Sequence, residues 1–93
     1  MRTIVRLQET ETTLMSRSQA KRLVNGLERF REVVIDFRGV ELVGQGFADE
    51  VFRVWASQHP EVALIPTDMS DAIAFMVERA IRGASTLGVD VER

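Results

Sequence analysis

The sequence predicts a small α/β domain in which helices connect the strands of a largely parallel or mixed sheet. Residues 32–37 form the strongest predicted strand, and the three consecutive β-branched residues 33–35 are typical of a strand buried on both faces. Amphipathic helical spacing precedes this strand at residues 16–30 and follows it at residues 45–58 and 71–82. Strands that alternate with helices favour parallel pairing through right-handed crossovers. The expected architecture is therefore one small sheet packed by three or so helices.

The composition is typical of one globular domain, residues 1–93, because 45% of the residues are apolar and 28% are charged. A net charge of −2 provides no long-range attraction for nucleic acid or for an anionic membrane, so neither is an expected partner. The absence of cysteine excludes disulfides and thiolate chemistry. No apolar run has the length of a signal peptide or a membrane span, which favours a cytoplasmic location.

The first predicted elements are a strand and a polar turn. Residues 3–7 have the composition of a strand, and the polar residues 8–13 predict a turn or a frayed hairpin. Leu14 and Met15 are expected to return to the sheet.

A helix is expected to begin at Ser16. Ser16 and Gln19 have the spacing of a capping box, in which each side chain accepts a hydrogen bond from the other residue's backbone N–H. The apolar residues that follow keep helical spacing up to about Phe30. Gly26 lies inside this predicted helix, where glycine costs about 1 kcal/mol relative to alanine. Its expected role is close packing on the sheet.

The central strand leads through a turn into the second helix. Asp36 ends the strand, where its side chain is expected to cap the next turn. Residues 42–43 return to the core, and a helix then extends from about residue 45 or 47 to residue 58. His59 and Pro60 end this helix, because proline disfavours helical geometry in the residue before it. We expect His59 to have a role at the helix terminus.

The last predicted elements are a strand and a helix. The apolar residues 62–65 form the strand, which Pro66 is expected to close. The helix at residues 71–82 has one apolar stripe, with Phe75 to one side of it. The small and polar tail, residues 83–93, is either a short strand or disordered.

Several of these features together resemble a known superfamily. An apolar strand that ends in Asp36 is followed by a turn at residues 39–40 and by a Gly-Gln-Gly loop at residues 44–46 that enters a helix. This arrangement resembles the core of the STAS superfamily, which includes sulfate-transporter domains and anti-sigma factor antagonists. With the segment 14–23 included, it is more similar to the bacterial STAS-like domain of unknown function. The resemblance covers residues 14–82 and implies a STAS-like fold.

The resemblance also concerns regulation. Anti-sigma factor antagonists carry an Asp-Ser pair in the loop that enters this helix, and a partner kinase phosphorylates the serine. In register from Asp36, those positions are Gly44 and Gln45 here, and Gly46 follows. None of the three residues has a hydroxyl group, so the resemblance implies the fold without this phosphorylation switch.

The loop Gly44, Gln45 and Gly46 is the first part of the candidate site. Glycine permits positive φ angles and the close approach of a ligand or another chain. Free backbone N–H groups at the start of the next helix attract anions, with support from the helix dipole. The alternatives are a tight turn without further function, a surface that binds a partner, or an anion site.

The helix after this loop supplies the other candidate residues. Phe47 begins its main apolar stripe, whereas Phe52 or Trp55 is either wedged in the core or exposed as an anchor for a partner. Asp49 and Glu50 lie in its first turn, where negative charge interacts favourably with the dipole. Because adjacent helical positions point about 100° apart, the two carboxylates are not expected to converge on one site.

Two functions from different classes are open at this point. The first is a non-enzymatic protein-interaction module in bacterial signalling. Its partner, by the resemblance to anti-sigma factor antagonists, is a histidine-kinase-like ATPase or a sigma-factor regulator. The second is a small-ligand or nucleotide sensor that holds an anion on the backbone of residues 44–46. No residue pattern indicates catalytic, metal or cofactor chemistry, and a homodimer is a further alternative.

Overall fold

The computed structural model describes residues 1–9 and 13–88. Within these residues, the strands are β1 (Arg2–Arg6), β2 (Thr13–Leu14), β3 (Glu32–Asp36), β4 (Leu42–Val43) and β5 (Ala63–Thr67). The main sheet has the order β1-β3-β5, and both of its strand pairs are parallel. The strands β2 and β4 form a separate two-stranded parallel sheet. The predicted α/β class with a small parallel sheet is confirmed.

The helices are α1 (Arg17–Val24), α2 (Gln45–Asp49), α3 (Ala56–Gln58) and α4 (Asp71–Gly88). A π-helical segment, Glu50–Trp55, connects α2 to α3 without a break. We call the continuous unit from residue 45 to residue 58 the central helix. It contacts α1 on one side and α4 on the other, and its bounds agree with the predicted ones. The sequence did not predict the π-helical segment.

The central strand β3 is buried on both sides, as the sequence predicts. Val33 and Ile35 have no exposed surface and belong to the hydrophobic core, which includes side chains from the helices. Val34 points to the opposite face because side chains alternate along a strand. It is only 7% exposed, yet it is not part of that core. The helices therefore pack on the face of the sheet that carries Val33 and Ile35.

The first helix is shorter than predicted. The capping box of Ser16 and Gln19 is present, but α1 ends at Val24. Gly26 follows the helix with a φ of 89°, and a Cβ atom there would have no neighbour within 4 Å. The close packing predicted for Gly26 is therefore wrong. Its role is to adopt a left-handed conformation, which favours glycine and allows the chain to turn into a short 3₁₀ helix, Leu27–Arg29.

Two other strand predictions change in the structure. Leu14 does enter a sheet, but it pairs with Val43 in the small sheet and not with the main one. The last strand does not stop before Pro66, because β5 continues to Thr67. Proline is tolerated there because β5 lies at an edge of the main sheet, where one row of backbone groups needs no partner strand.

The last helix is longer than predicted. Ser70 begins it by accepting a hydrogen bond from the backbone N–H of Ile73 at 3.2 Å, and α4 then continues to Gly88. The first residues of the predicted tail, 83–88, are therefore helical, and residues 89–93 lie outside the described part. No helix among the described residues is long and apolar enough to cross a membrane.

Candidate functional site

The predicted loop at residues 44–46 forms the N-cap and the first two residues of the central helix, and it is in tight contact with the rest of the chain. Gly44 has φ −82° and ψ 161°, so it is extended and does not use a positive φ. A Cβ atom on Gly44 would lie 2.8 Å from the carbonyl oxygen of Met15, whereas one on Gly46 would lie at 3.4 Å. The backbone N–H of Gly44 also donates to the carbonyl oxygen of Leu14 at 2.8 Å. The sequence predicted that a ligand or another chain approaches this loop closely. The groups that do so in the structure are Leu14 and Met15 of the same chain.

Two residues of the predicted site are not available to a partner. Phe47 is 1% exposed and Phe52 is 3% exposed, and both belong to the hydrophobic core. Trp55 is also buried. The physical reason is that α1 and α4 cover two sides of the central helix while the sheet lies beneath it. The prediction that Phe52 is an exposed anchor for a partner is therefore wrong, and Phe47 contributes only to core packing. Gln45 is exposed beside the loop.

Asp49 and Glu50 converge on the same cation, contrary to the prediction. A single guanidinium nitrogen of Arg17 lies 2.8 Å from a carboxylate oxygen of Asp49 and 3.3 Å from one of Glu50. The side chain of Arg53 forms a bidentate pair with the same Asp49 carboxylate. Glu50 is 8% exposed and is the only buried charged residue among those described. The four side chains form one network between α1 and the central helix.

The convergence comes from the reach of one arginine side chain. The backbone is α-helical at Asp49 (φ −63°, ψ −43°) and at Glu50 (φ −63°, ψ −40°), so the helix geometry there does not bring the two carboxylates together. The long side chain of Arg17 reaches both of them from the start of α1, which lies beside the start of the central helix.

The network determines the charge state of Asp49. The pKa of Asp49 is lowered mainly by its hydrogen bond with Arg53 and further by Arg17, which together outweigh desolvation. The pKa of Arg17 is raised for the complementary reason, chiefly by its hydrogen bond with Asp49. A carboxylate held ionised between two guanidinium groups is a poor general acid or base near neutral pH. The arrangement joins two elements and does not indicate catalysis.

An apolar cleft lies between β4 and the start of α4. Its volume is about 440 Å³, and its lining is mostly apolar. Leu42 and Phe75, which are 49% and 58% exposed, lie in its wall together with Met76. Glu41 and Asp71 are exposed and place negative charge at its rim. A volume of this size is within the usual range for binding sites.

A second, smaller cleft lies between this cleft and Gln45 of the candidate loop. Met76 also lines a smaller cleft of about 80 Å³ with Gln45, Asp49 and Arg79. Val43, in the wall of the larger cleft, directly precedes Gly44. One feature of the sequence indicated this surface, namely that Phe75 lies outside the apolar stripe of its helix. The proximity of Phe75 to β4 could not be predicted from the sequence and is seen only in the tertiary structure.

The predicted terminus residues have structural roles. A ring nitrogen of His59 lies 3.0 Å from the carbonyl oxygen of Trp55, and the two rings stack with centroids 4.2 Å apart. Asp36 accepts a hydrogen bond from the backbone N–H of Arg38 at 2.9 Å, which confirms that it caps the turn after β3. Among the described residues, no group of three or more histidine, aspartate or glutamate side chains could hold a metal ion.

The comparison with protein families gives one match. A family model described as a STAS-like domain of unknown function (DUF4325) matches residues 19–74, which is more than half of the chain. The chain belongs to this family. The matched part of the STAS-like domain extends from the first turn of α1 to the first turn of α4, and it includes the loop, the central helix and β4. No curated protein and no solved structure matches the chain.

Proposed function

We propose that this STAS-like domain is a non-enzymatic recognition module in bacterial signalling, and that its partner is a histidine-kinase-like ATPase. The class of partner comes from the resemblance to anti-sigma factor antagonists. The loop at residues 44–46 occupies the position where those proteins carry their regulatory serine. Because Gly44 and Gln45 have no hydroxyl group, binding here is regulated without phosphorylation of the loop.

The observation that carries the proposal is the apolar cleft beside this loop. Phe75 and Leu42 keep about half of their surface in water, at 58% and 49%, whereas the aromatic residues Phe47, Phe52 and Trp55 of the central helix are buried. Exposed aromatic side chains at the edge of an apolar cleft are typical anchors of protein interfaces. The binding surface we propose consists of Gln45, the cleft and its acidic rim. Phe47 and Phe52 support this surface from the core.

The acidic rim favours a partner segment with basic residues. Glu41 and Asp71 are both exposed at the cleft, and no ion pair of either residue is found within the described residues. A partner that places an apolar side chain between Leu42 and Phe75 can place lysine or arginine beside these carboxylates. Electrostatic complementarity of this kind mainly increases the rate of association and the specificity.

The ligand-sensor alternative stays a prediction from the sequence, and no contact favours it. The N–H of Gly44 already donates to Leu14, so one of the proposed anion donors is occupied. The carboxylates of Asp49 and Glu50 also lie near the same end of the central helix. They already pair with Arg17 and Arg53, so the cations nearest to this end of the helix are engaged within the chain.

The test is a titration of the purified domain with purified histidine-kinase-like ATPases encoded near its gene. Binding is measured by isothermal titration calorimetry for the wild type and for Phe75→Asp and Gln45→Arg. We expect Phe75→Asp to weaken binding at least about tenfold, because the anchor is lost and a charge is introduced in an apolar contact. Gln45→Arg is expected to weaken binding to a smaller extent.

The matched control is Ile81→Asp. Ile81 is also an exposed apolar residue of α4, at 42%, but it does not line the cleft. This variant should bind like the wild type, and circular dichroism should show that all variants are folded. If folded Phe75→Asp and Gln45→Arg bind with unchanged affinity, the proposed surface is wrong. If none of the ATPases binds the wild-type domain, the proposed class of partner is wrong.

A further inference from the structure

The face of the main sheet opposite the helices is the second surface with an unusual pattern. We call it the outer sheet face. The register places three of its residues in one row across the sheet: Ile4, Val34 and Ile65. None of them belongs to the hydrophobic core or packs against it. Ile4 is 47% exposed although it lies in the middle of its strand. Within the described part of the chain, no helix covers this row. Its exposed apolar surface is mainly that of Ile4, because Val34 is 7% exposed and Ile65 is partly buried.

Charged residues flank this apolar row on two of the three strands. The rows on either side pair Arg2 with Glu32 and Arg6 with Asp36. The strand β1 therefore carries two arginines on the outer sheet face, and the neighbouring strand β3 carries two carboxylates at the positions that pair with them in register. The third strand contributes Ala63 and Thr67, which have no charge.

Little of this charge is neutralised within the chain. Arg2 and Glu32 approach only to 3.7 Å, and their side chains are 62% and 51% exposed. No ion pair of Arg6 is found among residues 1–9 and 13–88. Exposed pairs of this kind contribute little to the stability of a monomer. Arg2, Glu32 and Arg6 are therefore exposed to a complementary surface, whereas Asp36 is partly buried and one of its oxygens already accepts the hydrogen bond from Arg38.

A second copy of the same chain supplies that complementary surface. Consider two outer sheet faces that pack against each other around a two-fold axis parallel to the strands and located between β1 and β3. This operation places β1 of one copy over β3 of the other. Arg2 then lies over Glu32 of the partner subunit, and Arg6 lies over Asp36 of the partner subunit. Ile4 lies over Val34 of the partner subunit, whereas Ile65, on β5, lies outside the overlap.

Two other two-fold arrangements of these faces bring like charges together. An axis along the strands through the centre of β3 places Glu32 and Asp36 over their own copies. An axis across the strands places each strand over itself in the opposite direction, so that Arg2 faces Arg6 and Glu32 faces Asp36. Juxtaposed like charges weaken an interface. An axis between β3 and β5 avoids such contacts but places the two carboxylates over Ala63 and Thr67, which have no charge. Of these arrangements, only the one with β1 over β3 pairs opposite charges.

We propose that the outer sheet face is a self-association surface, through which two copies form a symmetric dimer with β1 over β3. A two-fold interface uses the same patch on both subunits, as this pattern requires. Sheets that pack face to face keep their strand directions within about 30°, and the long arginine side chains accommodate that rotation. The surface is on the side of the sheet opposite the helices, so the dimer leaves the apolar cleft accessible.

The test measures the dimer dissociation constant of the purified domain by sedimentation equilibrium. The wild type should show a concentration-dependent dimer. Arg2→Glu alone and Glu32→Arg alone should each weaken the dimer at least about tenfold, because each variant creates two like-charge contacts across the axis. Ile4→Asp should also weaken it, whereas Ile81→Asp, on α4, should leave it unchanged.

An equimolar mixture of Arg2→Glu and Glu32→Arg provides the decisive measurement. In the mixed dimer, both contacts across the axis again pair opposite charges, so the affinity of the wild type should return. The pair within each chain remains broken in both variants, so a merely structural effect of Arg2 and Glu32 would not be rescued by mixing. A monomeric wild type at about 1 mM, or a mixture no tighter than the single variants, would overturn the proposal.

Discussion

Gly44 shows how a single residue of the candidate loop is determined by packing. Its backbone is extended, which any residue can adopt, but the carbonyl oxygen of Met15 occupies the space in which a side chain would begin. The loop therefore needs glycine at this position because β2 and α1 lie against it. The sequence predicted a close approach here but not the identity of the approaching group, since Met15 is far away along the chain.

Replacing Gly44 with alanine should destabilise the domain. The new Cβ atom would lie 2.8 Å from a backbone oxygen that cannot move without shifting β2 and α1. We expect a loss of about 1–3 kcal/mol in the free energy of unfolding, measured by urea denaturation. Gly46→Ala is the control, because its Cβ atom would lie at 3.4 Å inside a helix. That variant should be neutral or more stable by up to about 1 kcal/mol. Equal losses would show that the contact with Met15 is not the cause.

The charge of Asp49 should stabilise the folded domain in a pH-dependent way. Its pKa in the folded state is lowered from 3.8 by Arg53 and Arg17. The stabilisation is therefore fully present above about pH 4 and is lost as the pH falls through the folded pKa. The stability difference between the wild type and Asp49→Asn should be largest near pH 7 and should shrink below pH 3.8. A difference that stays constant on acidification would contradict an origin in the charge of Asp49.

At the scale of elements, the central helix combines regular and irregular geometry. Its start and end follow from glycine and proline in the sequence, and both were predicted. The π-helical segment Glu50–Trp55 was not, because its spacing of apolar residues is also compatible with an α-helix. Asp49 and Glu50 both reach one arginine, while Val51, Phe52 and Trp55, within the π-helical segment, remain in the core.

The capping box of α1 offers a prediction at the element scale. The side chain of Ser16 accepts a hydrogen bond from the backbone N–H of Gln19 at 3.1 Å, and Gln19 accepts one from the N–H of Ser16 at 2.9 Å. Ser16→Ala should cost about 1 kcal/mol in the free energy of unfolding. Ser18→Ala is the matched control, since Ser18 is exposed within the helix and alanine favours helical structure. If both variants have the same stability, the cap does not stabilise this helix.

At the scale of the whole molecule, the order of the main elements could be predicted, but the surface could not. Hydrophobic periodicity identified β1, β3 and β5 and the helices between them, because each depends on local pattern. The assignment of Phe52 to the core and of Phe75 to the surface depends on which elements surround each residue. Both are aromatic residues on amphipathic helices, and only the packing of α1 and α4 against the central helix distinguishes them.

The same two phenylalanines provide the last prediction. Phe52 is 3% exposed and packs against Phe37 with ring centroids 6.4 Å apart. Phe52→Ala should therefore lower the free energy of unfolding by about 3–5 kcal/mol, a large part of the roughly 5–15 kcal/mol typical of a whole domain. Phe75→Ala should change it by less than about 0.5 kcal/mol, because Phe75 is 58% exposed.

Urea denaturation followed by the fluorescence of Trp55 measures both variants, because this tryptophan is the only one in the chain and is buried. Comparing the two variants distinguishes residues that stabilise the fold from residues that bind a partner. A residue that maintains the fold should be costly to remove in the isolated domain, whereas a residue kept for a partner should cost little there and much in the complex. If Phe75→Ala destabilises the isolated domain as strongly as Phe52→Ala, the side chain is part of the core. The apolar cleft would then have no exposed anchor.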